Sequence, residues 1–277
     1  MSGAKETPRQ KMIGMMYLVY TALLAMNVSK DILDAFDTVN AGVQQTNITL
    51  MQQIEQRYNV FEEQYNENPD KVGPYWQQAQ ELRDNSTEII NYLEAMKWDL
   101  VSQIEEKSYD EAISDGLLRS KDTTQYYGRS FYDINTSKIK SRDNYNKPTA
   151  YMMGDPEGNG KAFELSKKIQ DYRAYVVGIM GAENSDGLGL VTDRSFSKND
   201  TVGTPIDYAP DASDAMQKSW EYHNFHHTVL IADVTLLNKI ISEVETAELN
   251  AINHLSQEIH AKDHTFDEID ADRKSVV

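Results

Sequence analysis

Apolar residues first gather in a long uncharged run near the amino terminus of the chain. Met12 to Val28 contains no charged residue, and a membrane-spanning helix needs about 17–25 predominantly apolar residues. A helix start precedes the run: Thr7 can cap the first turn, Pro8 takes its first position and Gln10 completes a capping-box spacing. The pattern predicts a transmembrane helix over residues 8–30.

Two alternatives to an uncleaved anchor compete for this run. A cleaved signal peptide should end in a small-residue site followed by a break, whereas Ala25–Asn27 is a poor site and apolar positions continue beyond it. A buried helix of a soluble protein should have a polar face, and up to Leu24 the run offers only Tyr17, Tyr20 and Thr21. Length and flanking charge therefore favour the anchor.

The charges on either side of the run give the anchor an orientation. Lys5, Arg9 and Lys11 precede it, and Asp31 and Asp34 follow it. Under the positive-inside rule, residues 1–7 form a cytoplasmic stub and the bulk of the chain is exported.

Beyond the anchor, apolar residues recur at helical spacing and predict an all-α domain over residues 31–262. The first helix continues from Pro8 without interruption to about Asn66. Its stripe comprises Ile32, Phe36, Val39, Val43, Leu50, Ile54, Tyr58, Phe61 and Tyr65. Two prolines and a glycine at 68–74 predict a turn, and a second helix over 74–106 should pack back on the first as a hairpin.

Two further helices and two long loops complete the predicted helical bundle. A third helix covers residues 161–180. The last starts near Ala212 or, after a kink, near His226, and reaches about Ala261 along the stripe Leu230, Val234, Leu237, Ile241, Val244, Ala251, Leu255 and Ile259. Residues 108–160, which can hold short helices, and 181–212 lack a sustained period. No convincing strand is predicted, and residues 263–277 resemble a connector or a truncated tail.

Charge and cysteine content exclude several classes of function. The formal net charge is −17, whereas residues 1–30 are net positive, so the acidic excess lies in the exported part. Nucleic-acid binding needs a basic footprint, which is missing, and a strongly acidic domain should not lie on an anionic membrane surface. Without cysteine the chain has neither disulfides nor thiolate metal sites.

Few residue patterns suggest catalysis or ligand binding. The segment Gly154–Lys161 resembles a phosphate-binding loop but has five residues between its glycines where four are needed, so we interpret it as a turn before a helix. His223, His226 and His227, with Glu221, form the one histidine cluster, for which capping or packing is favoured over metal binding. No nucleophile–base pair is evident, and we predict neither an enzyme, a cofactor nor a metal site.

The stretch KETPRQKMIGMMYLVYTALLAMNVSKDILDAF closely resembles the amino terminus of the GldM/PorM family, and patches such as KAFELSKKI and SWEYHNF resemble it further along. The resemblance implies an inner-membrane subunit of the motor, driven by the proton-motive force, that powers gliding motility and type IX protein secretion. It implies a dimer inside a pentameric ring of GldL/PorL-like transmembrane helices. It also implies mainly β domains after residue 277 that reach periplasmic or outer-membrane secretion components.

Arg9 is the candidate residue for the partner interface. In the first turn of a helix a cation opposes the helix dipole by roughly 0.3–1 kcal/mol, so Arg9 is not there to stabilise the helix. It can be an ordinary anchor or the partner of a carboxylate within the membrane. The resemblance favours the second role, because the arginine of the family's KETPRQK motif is implicated with a transmembrane glutamate of GldL. Tyr17 and Thr21, one turn apart, are weaker candidates for the same interface.

A second interface is predicted where the chain leaves the membrane. Ile32, Phe36 and Val39 have no partner in their own chain at that height, and a second copy in a parallel homodimer is the simplest cover. The alternative is that the chain is a helical binding or adaptor module in the periplasm, anchored to the membrane by a single helix.

Overall fold

The computed structural model describes residues 12, 14–17, 29–121, 128–155, 157–185, 188–192 and 219–275, the last sixteen of these by their backbone only. The predicted all-α class is confirmed, with one small strand pair added. The elements are α1 (Lys30–Glu67), α2 (Pro69–Glu105), α3 (Tyr109–Ser114), β1 (Leu118–Lys121), β2 (Tyr132–Ile134), α4 (Asn146–Met153), α5 (Lys161–Met180), α6 (Trp220–Phe225) and α7 (Leu230–Ser275), with 3-10 turns at Thr136–Lys138 and Ala182–Asn184.

The first long helix starts at a capped break. Ser29 is extended, with φ −63° and ψ 146°, and its hydroxyl accepts a hydrogen bond from Ile32 N at 3.3 Å. A serine side chain in this position satisfies one of the free N–H groups of a first turn. The prediction of one uninterrupted helix from Pro8 to Asn66 is therefore wrong at Ser29.

The turn between the first two helices is shorter than predicted. Asn68 is the one residue between them: its N–H donates to Gln64 O at 3.0 Å, and its side chain accepts from Lys71 N at 3.3 Å. Pro69 follows at the first helical position, where a missing N–H costs nothing. Pro74, predicted to belong to the turn, lies inside α2.

The predicted antiparallel packing of the first two helices is confirmed. Arg83 of α2 pairs with Glu55 of α1 at 2.7 Å. Nearer the turn, the Trp76 ring stacks on both Phe61 and Tyr65, with centroids 5.9 Å apart in each case. Residues of α1 that lie nearer to Asn68 thus contact residues of α2 that also lie nearer to Asn68, which is the arrangement of a helical hairpin.

The last long helix completes the bundle by running parallel to α1. Asn47 Nδ2 donates to Asn238 O at 2.9 Å, and about three turns further along both helices Tyr58 donates to Glu248 at 3.0 Å. The core lies between α1, α2 and α7, and α5 packs against it through the 2.8 Å contact between the Tyr172 and Ser86 hydroxyls.

Residues 108–160 contain the largest departure from the predicted pattern. β1 and β2 pair antiparallel, with Leu118 opposite Ile134, so the expectation of no strands is wrong. Each strand has only three or four residues, too few for an alternating pattern to be recognised. The short helices α3 and α4 lie in the same stretch, as the sequence allowed.

The ends of the later helices agree with the sequence to different degrees. α5 covers the predicted 161–180. The last helix begins at Leu230, after α6 and a bend in which His227 has φ 55°. Of the two predicted starts, Ala212 and His226, the second is therefore closer to the observed one. Its backbone continues to Ser275, whereas the apolar period ends near Ala261.

Within the described ranges, none of the helices combines the length and the hydropathy needed to cross a bilayer. The predicted anchor, residues 8–30, falls mostly outside those ranges.

Candidate functional site

The residues predicted to meet a partner within the membrane cannot be placed relative to one another. Arg9 and Thr21 lie outside the described residues. Tyr17 has helical backbone, and 71% of its surface is exposed. The interface formed by these three residues stays a prediction.

The residues predicted to contact a second copy lie on the outside of α1. Ile32 is 51% and Val39 is 54% exposed, and Phe36 is half-buried. Seven residues are about two helical turns, so Ile32 and Val39 lie on one face. We call these three residues the α1 patch. It offers apolar surface to a partner, and the dimer itself stays a prediction.

The buried face at the start of α1 is not the one predicted. Leu33, Asn40 and Asn47 face the core in place of the apolar residues beside them. Asn40 Oδ1 accepts from Asn238 Nδ2 at 2.7 Å, and Asn47 Nδ2 donates to Asn238 O at 2.9 Å. Because these amides bond to α7, the face of α1 that carries Asn40 and Asn47 is turned toward the core. The apolar stripe of the first turns of α1 therefore points outward.

A buried cluster of charged side chains, the charge cluster, lies where α1, α2 and α7 meet the segment that precedes β2. We define it as Glu94, Lys97, Arg129, Glu245 and Glu248, each at most 3% exposed. Charged groups are almost never fully buried unless they are paired.

The pair at the centre of the cluster joins the segment before β2 to α7. Arg129 Nη2 donates to both carboxylate oxygens of Glu248 at 2.7 Å, and the Tyr58 hydroxyl donates to Glu248 Oε1 at 3.0 Å. Burial raises the pKa of Glu248 above its usual value, although the charge and bonds of Arg129 and the bond from Tyr58 act to lower it. Because a guanidinium is always charged and both of its bonds end on Glu248 oxygens, the geometry favours the carboxylate form.

A second pair joins α2 to α7 and to β2. Lys97 Nζ donates to Glu94 Oε1 at 2.6 Å and to Asn238 Oδ1 at 2.8 Å. Glu94 Oε2 accepts from the backbone N–H of Tyr132, in β2, at 2.7 Å. Both oxygens of Glu94 are therefore engaged, and β2 is docked on the bundle by a charge-assisted hydrogen bond.

Glu245 differs from the other two carboxyl groups of the cluster. Its Oε2 is buried and finds no hydrogen-bond partner among the described residues. Burial, first, and the neighbouring Glu248 and Glu94 raise its pKa well above the usual value, against the lowering effect of Arg129 and Lys97.

The sequence contains one indication of these buried polar contacts. The apolar stripe of the last helix passes from Val244 to Ala251 without an intermediate member, and Glu248 fills that gap. The stripe of the first helix likewise passes from Val43 to Leu50 over Asn47. A polar residue at a core position is a more informative observation than an exposed apolar one. The contribution of Arg129, which reaches the core from an irregular segment, left no such signal.

The two motifs considered for ligand binding form packed structure. Residues 157–160 form a tight turn ahead of α5, in which Met153 O accepts from Gly158 N at 2.8 Å and from Gly160 N at 3.0 Å. His226 is buried, with Nε2 3.3 Å from Glu157 Oε1, and the Glu221 carboxylate accepts from the Ser166 hydroxyl. No group of three potential metal ligands is found among the described residues.

This architecture is that of an all-α structural domain, in which three long helices are fixed to one another by buried polar contacts. The GldM N-terminal domain family model matches residues 31–258. The chain therefore belongs to the GldM family, whose members are components of the gliding motility and type IX secretion machinery. A comparison with curated proteins finds no match.

Proposed function

We propose that this chain is a membrane subunit of a motor that uses the proton-motive force to power type IX secretion and gliding. The family match over residues 31–258 carries the proposal. The uncharged run Met12–Val28 and the basic residues before it support a single anchor in the inner membrane. Residues 1–7 then lie in the cytoplasm and the helical domain lies in the periplasm.

The proposed partner in the membrane is a ring of GldL-like helices, a pentamer around a dimer of this chain. Arg9, with Tyr17 and Thr21 beside it, faces a ring carboxylate that binds and releases protons. The guanidinium is charged at any accessible pH, so the pair attracts when the carboxylate is ionised and loses that attraction when it is protonated. Two helices inside an odd-numbered ring supply the asymmetry that directed motion requires.

The helical domain is suited to passing motion onward. α1 is tied to α7 at Asn40, Asn47 and Tyr58, by bonds of 2.7, 2.9 and 3.0 Å. At ~1.5 Å per residue these contacts spread over about 27 Å of helix. A force applied at the start of α1 is therefore shared with α7, and the capped break at Ser29 is the place where the direction of the chain can change.

Arg9→Ala tests the coupling role. It should leave insertion and assembly intact, because Lys5 and Lys11 still set the topology, and it should abolish secretion and gliding. Arg9→Lys should be partly impaired, because a point charge does not reproduce the planar fork. The measurement is motility and secretion at matched protein levels in the membrane. Normal function in Arg9→Ala would reduce Arg9 to an ordinary anchor.

Cysteine crosslinking tests the α1 patch as a dimer contact. The chain has no cysteine, so single cysteines at Ile32 or Val39 give an unambiguous result, and oxidation of intact membranes should produce a covalent dimer at either site. Thr38, which is exposed on another face of α1, is the control and should crosslink far less. Equal yields at Thr38 and Val39 would indicate random collision, and no crosslink at either patch position would place the dimer elsewhere.

A further inference from the structure

The charge cluster holds three carboxyl groups and two cations in a space closed to solvent. We propose that the cluster is a proton-binding site centred on Glu245, and that the bound proton makes the packing of α7 against α1 and α2 sensitive to pH. The inference concerns the folded domain alone, and it stands whether or not the anchor and the ring partner are as proposed above.

Hydrogen bonding singles out Glu245 as the proton carrier. Glu248 accepts two bonds from Arg129 and one from Tyr58, and Glu94 accepts from Lys97 and from the N–H of Tyr132. Both of these groups are satisfied as carboxylates. The Oε2 atom of Glu245 is buried without a partner among the described residues, and an unpaired buried carboxylate is the costliest of polar groups to bury.

The charges around Glu245 come from each element packed on this part of α7. Arg129 and Lys97 attract the ionised form, and Glu248 and Glu94 repel it. Tyr58 of α1 and Tyr172 of α5 also face the cluster, and burial raises the pKa of both phenols, so neither becomes charged. Arg83 of α2, whose charge also lowers the pKa of Glu248, is paired with Glu55 at 2.7 Å. With a proton on Glu245, the two carboxylates of the cluster balance its two cations; without it, the cluster carries one negative charge in excess.

In this structure Arg129 does not hydrogen-bond to Glu245. Both of its bonds to Glu248 come from Nη2, and Nη1 is buried without a hydrogen-bond partner among the described residues. Against the effect of burial, the charge of Glu248, first, and that of Glu245 raise the pKa of Arg129, so Arg129 and Glu245 interact through space. A hydrogen bond from Nη1 to ionised Glu245 would require the two side chains to move, so loss of the proton should change the packing between α7 and the segment before β2.

The direction of the pH dependence follows from the raised pKa of Glu245. The folded chain holds the proton at pH values where the unfolded chain has already lost it. The stabilising effect of the proton is thus complete below the ordinary glutamate pKa of 4.5 and is lost progressively as pH rises toward the folded value. Across that interval the folding equilibrium constant falls about tenfold for each pH unit.

Glu245→Gln removes this titration while preserving the shape of the side chain. In the purified full-length chain, thermal and urea unfolding should be compared with the parent from pH 4.5 to 8.5. At the acid end of this range, the variant should be as stable as the parent or slightly less stable. As pH rises, the ratio of its folding equilibrium constant to that of the parent should grow about tenfold per pH unit. Glu258→Gln, at an exposed position of the same helix, should give a curve parallel to that of the parent.

A second measurement covers the case in which the variant folds poorly. As pH rises above the ordinary glutamate pKa of 4.5, the infrared spectrum of the parent should retain the carbonyl band of protonated carboxyl groups. Buried Asp233, whose pKa burial also raises, contributes to that band as well. Asp233→Asn should leave a band that remains assignable to Glu245 and disappears above its pKa. A spectrum without that residual band, or a pH-independent difference between Glu245→Gln and the parent, would overturn the proposal.

Discussion

Arg129→Ala should destabilise the helical domain by about 3–5 kcal/mol, the cost of breaking a fully buried ion pair. Its guanidinium makes two 2.7 Å bonds to Glu248, and the two side chains are 4% and 0% exposed. The substitution leaves the Glu248 carboxylate in the core with Tyr58 as its remaining donor. The measurement is the free energy of unfolding at pH 7, followed by the fluorescence of Trp98, which stacks on Tyr132 of β2 with ring centroids 5.9 Å apart.

Arg119→Ala is the matched control for this experiment. Arg119 lies on β1, its side chain is 58% exposed, and it pairs with Asp133 at 3.3 Å. Exposed pairs of this kind contribute roughly 0–1 kcal/mol. The double variant Arg129→Met, Glu248→Met should recover part of the lost stability, because removing both charges is less costly than stranding one. A loss below 1 kcal/mol in Arg129→Ala would show that Glu248 finds another partner or becomes protonated.

The sequence predicted those parts of the fold that rest on a long, clean period. The helix 161–180 and the hairpin of the first two helices follow from apolar spacing and from the breakers at Asn68 and Pro69, which local physics alone can interpret. The two short strands could not be found in this way. β2 is held on the bundle by Glu94 of α2, which accepts the N–H of Tyr132, and such a contact leaves no periodic pattern in the sequence.

The orientation of α1 shows a different limit of the pattern. The apolar pattern assigned Ile32 and Val39 to a contact with a second copy, and it did not show that the inner face of the first turns would bury Asn40 and Asn47. Each of these two amides forms one hydrogen bond to Asn238 of α7, at 2.7 and 2.9 Å, and that partner lies almost two hundred residues away in the chain. The apolar residues Ile32 and Val39 are left exposed, and the dimer contact there stays a prediction.

Gly160→Ala should also be strongly destabilising, for a steric reason. Gly160 caps the start of α5, and a Cβ atom there would lie 2.3 Å from Met152 O and 2.4 Å from Gly154 N. Both are backbone atoms, so no side-chain rotation relieves the overlap. We expect a loss of about 3 kcal/mol, the upper end of the ~1–3 kcal/mol that overpacking with backbone shifts typically costs. The free energy of unfolding in urea is the measurement.

Gly178→Ala in the same helix isolates the steric effect from the general preference of helices for alanine. Apart from the backbone of its own helix, no atom of the described residues lies within 4 Å of a Cβ built at Gly178, and its position in α5 is exposed. Replacing glycine by alanine in an exposed helix interior stabilises by about 1 kcal/mol. The two substitutions should therefore shift stability in opposite directions, although both change a glycine to alanine at or beside one helix. If Gly160→Ala proved as stable as the parent, the turn at 157–160 would have to be looser than its hydrogen bonds to Met153 O indicate.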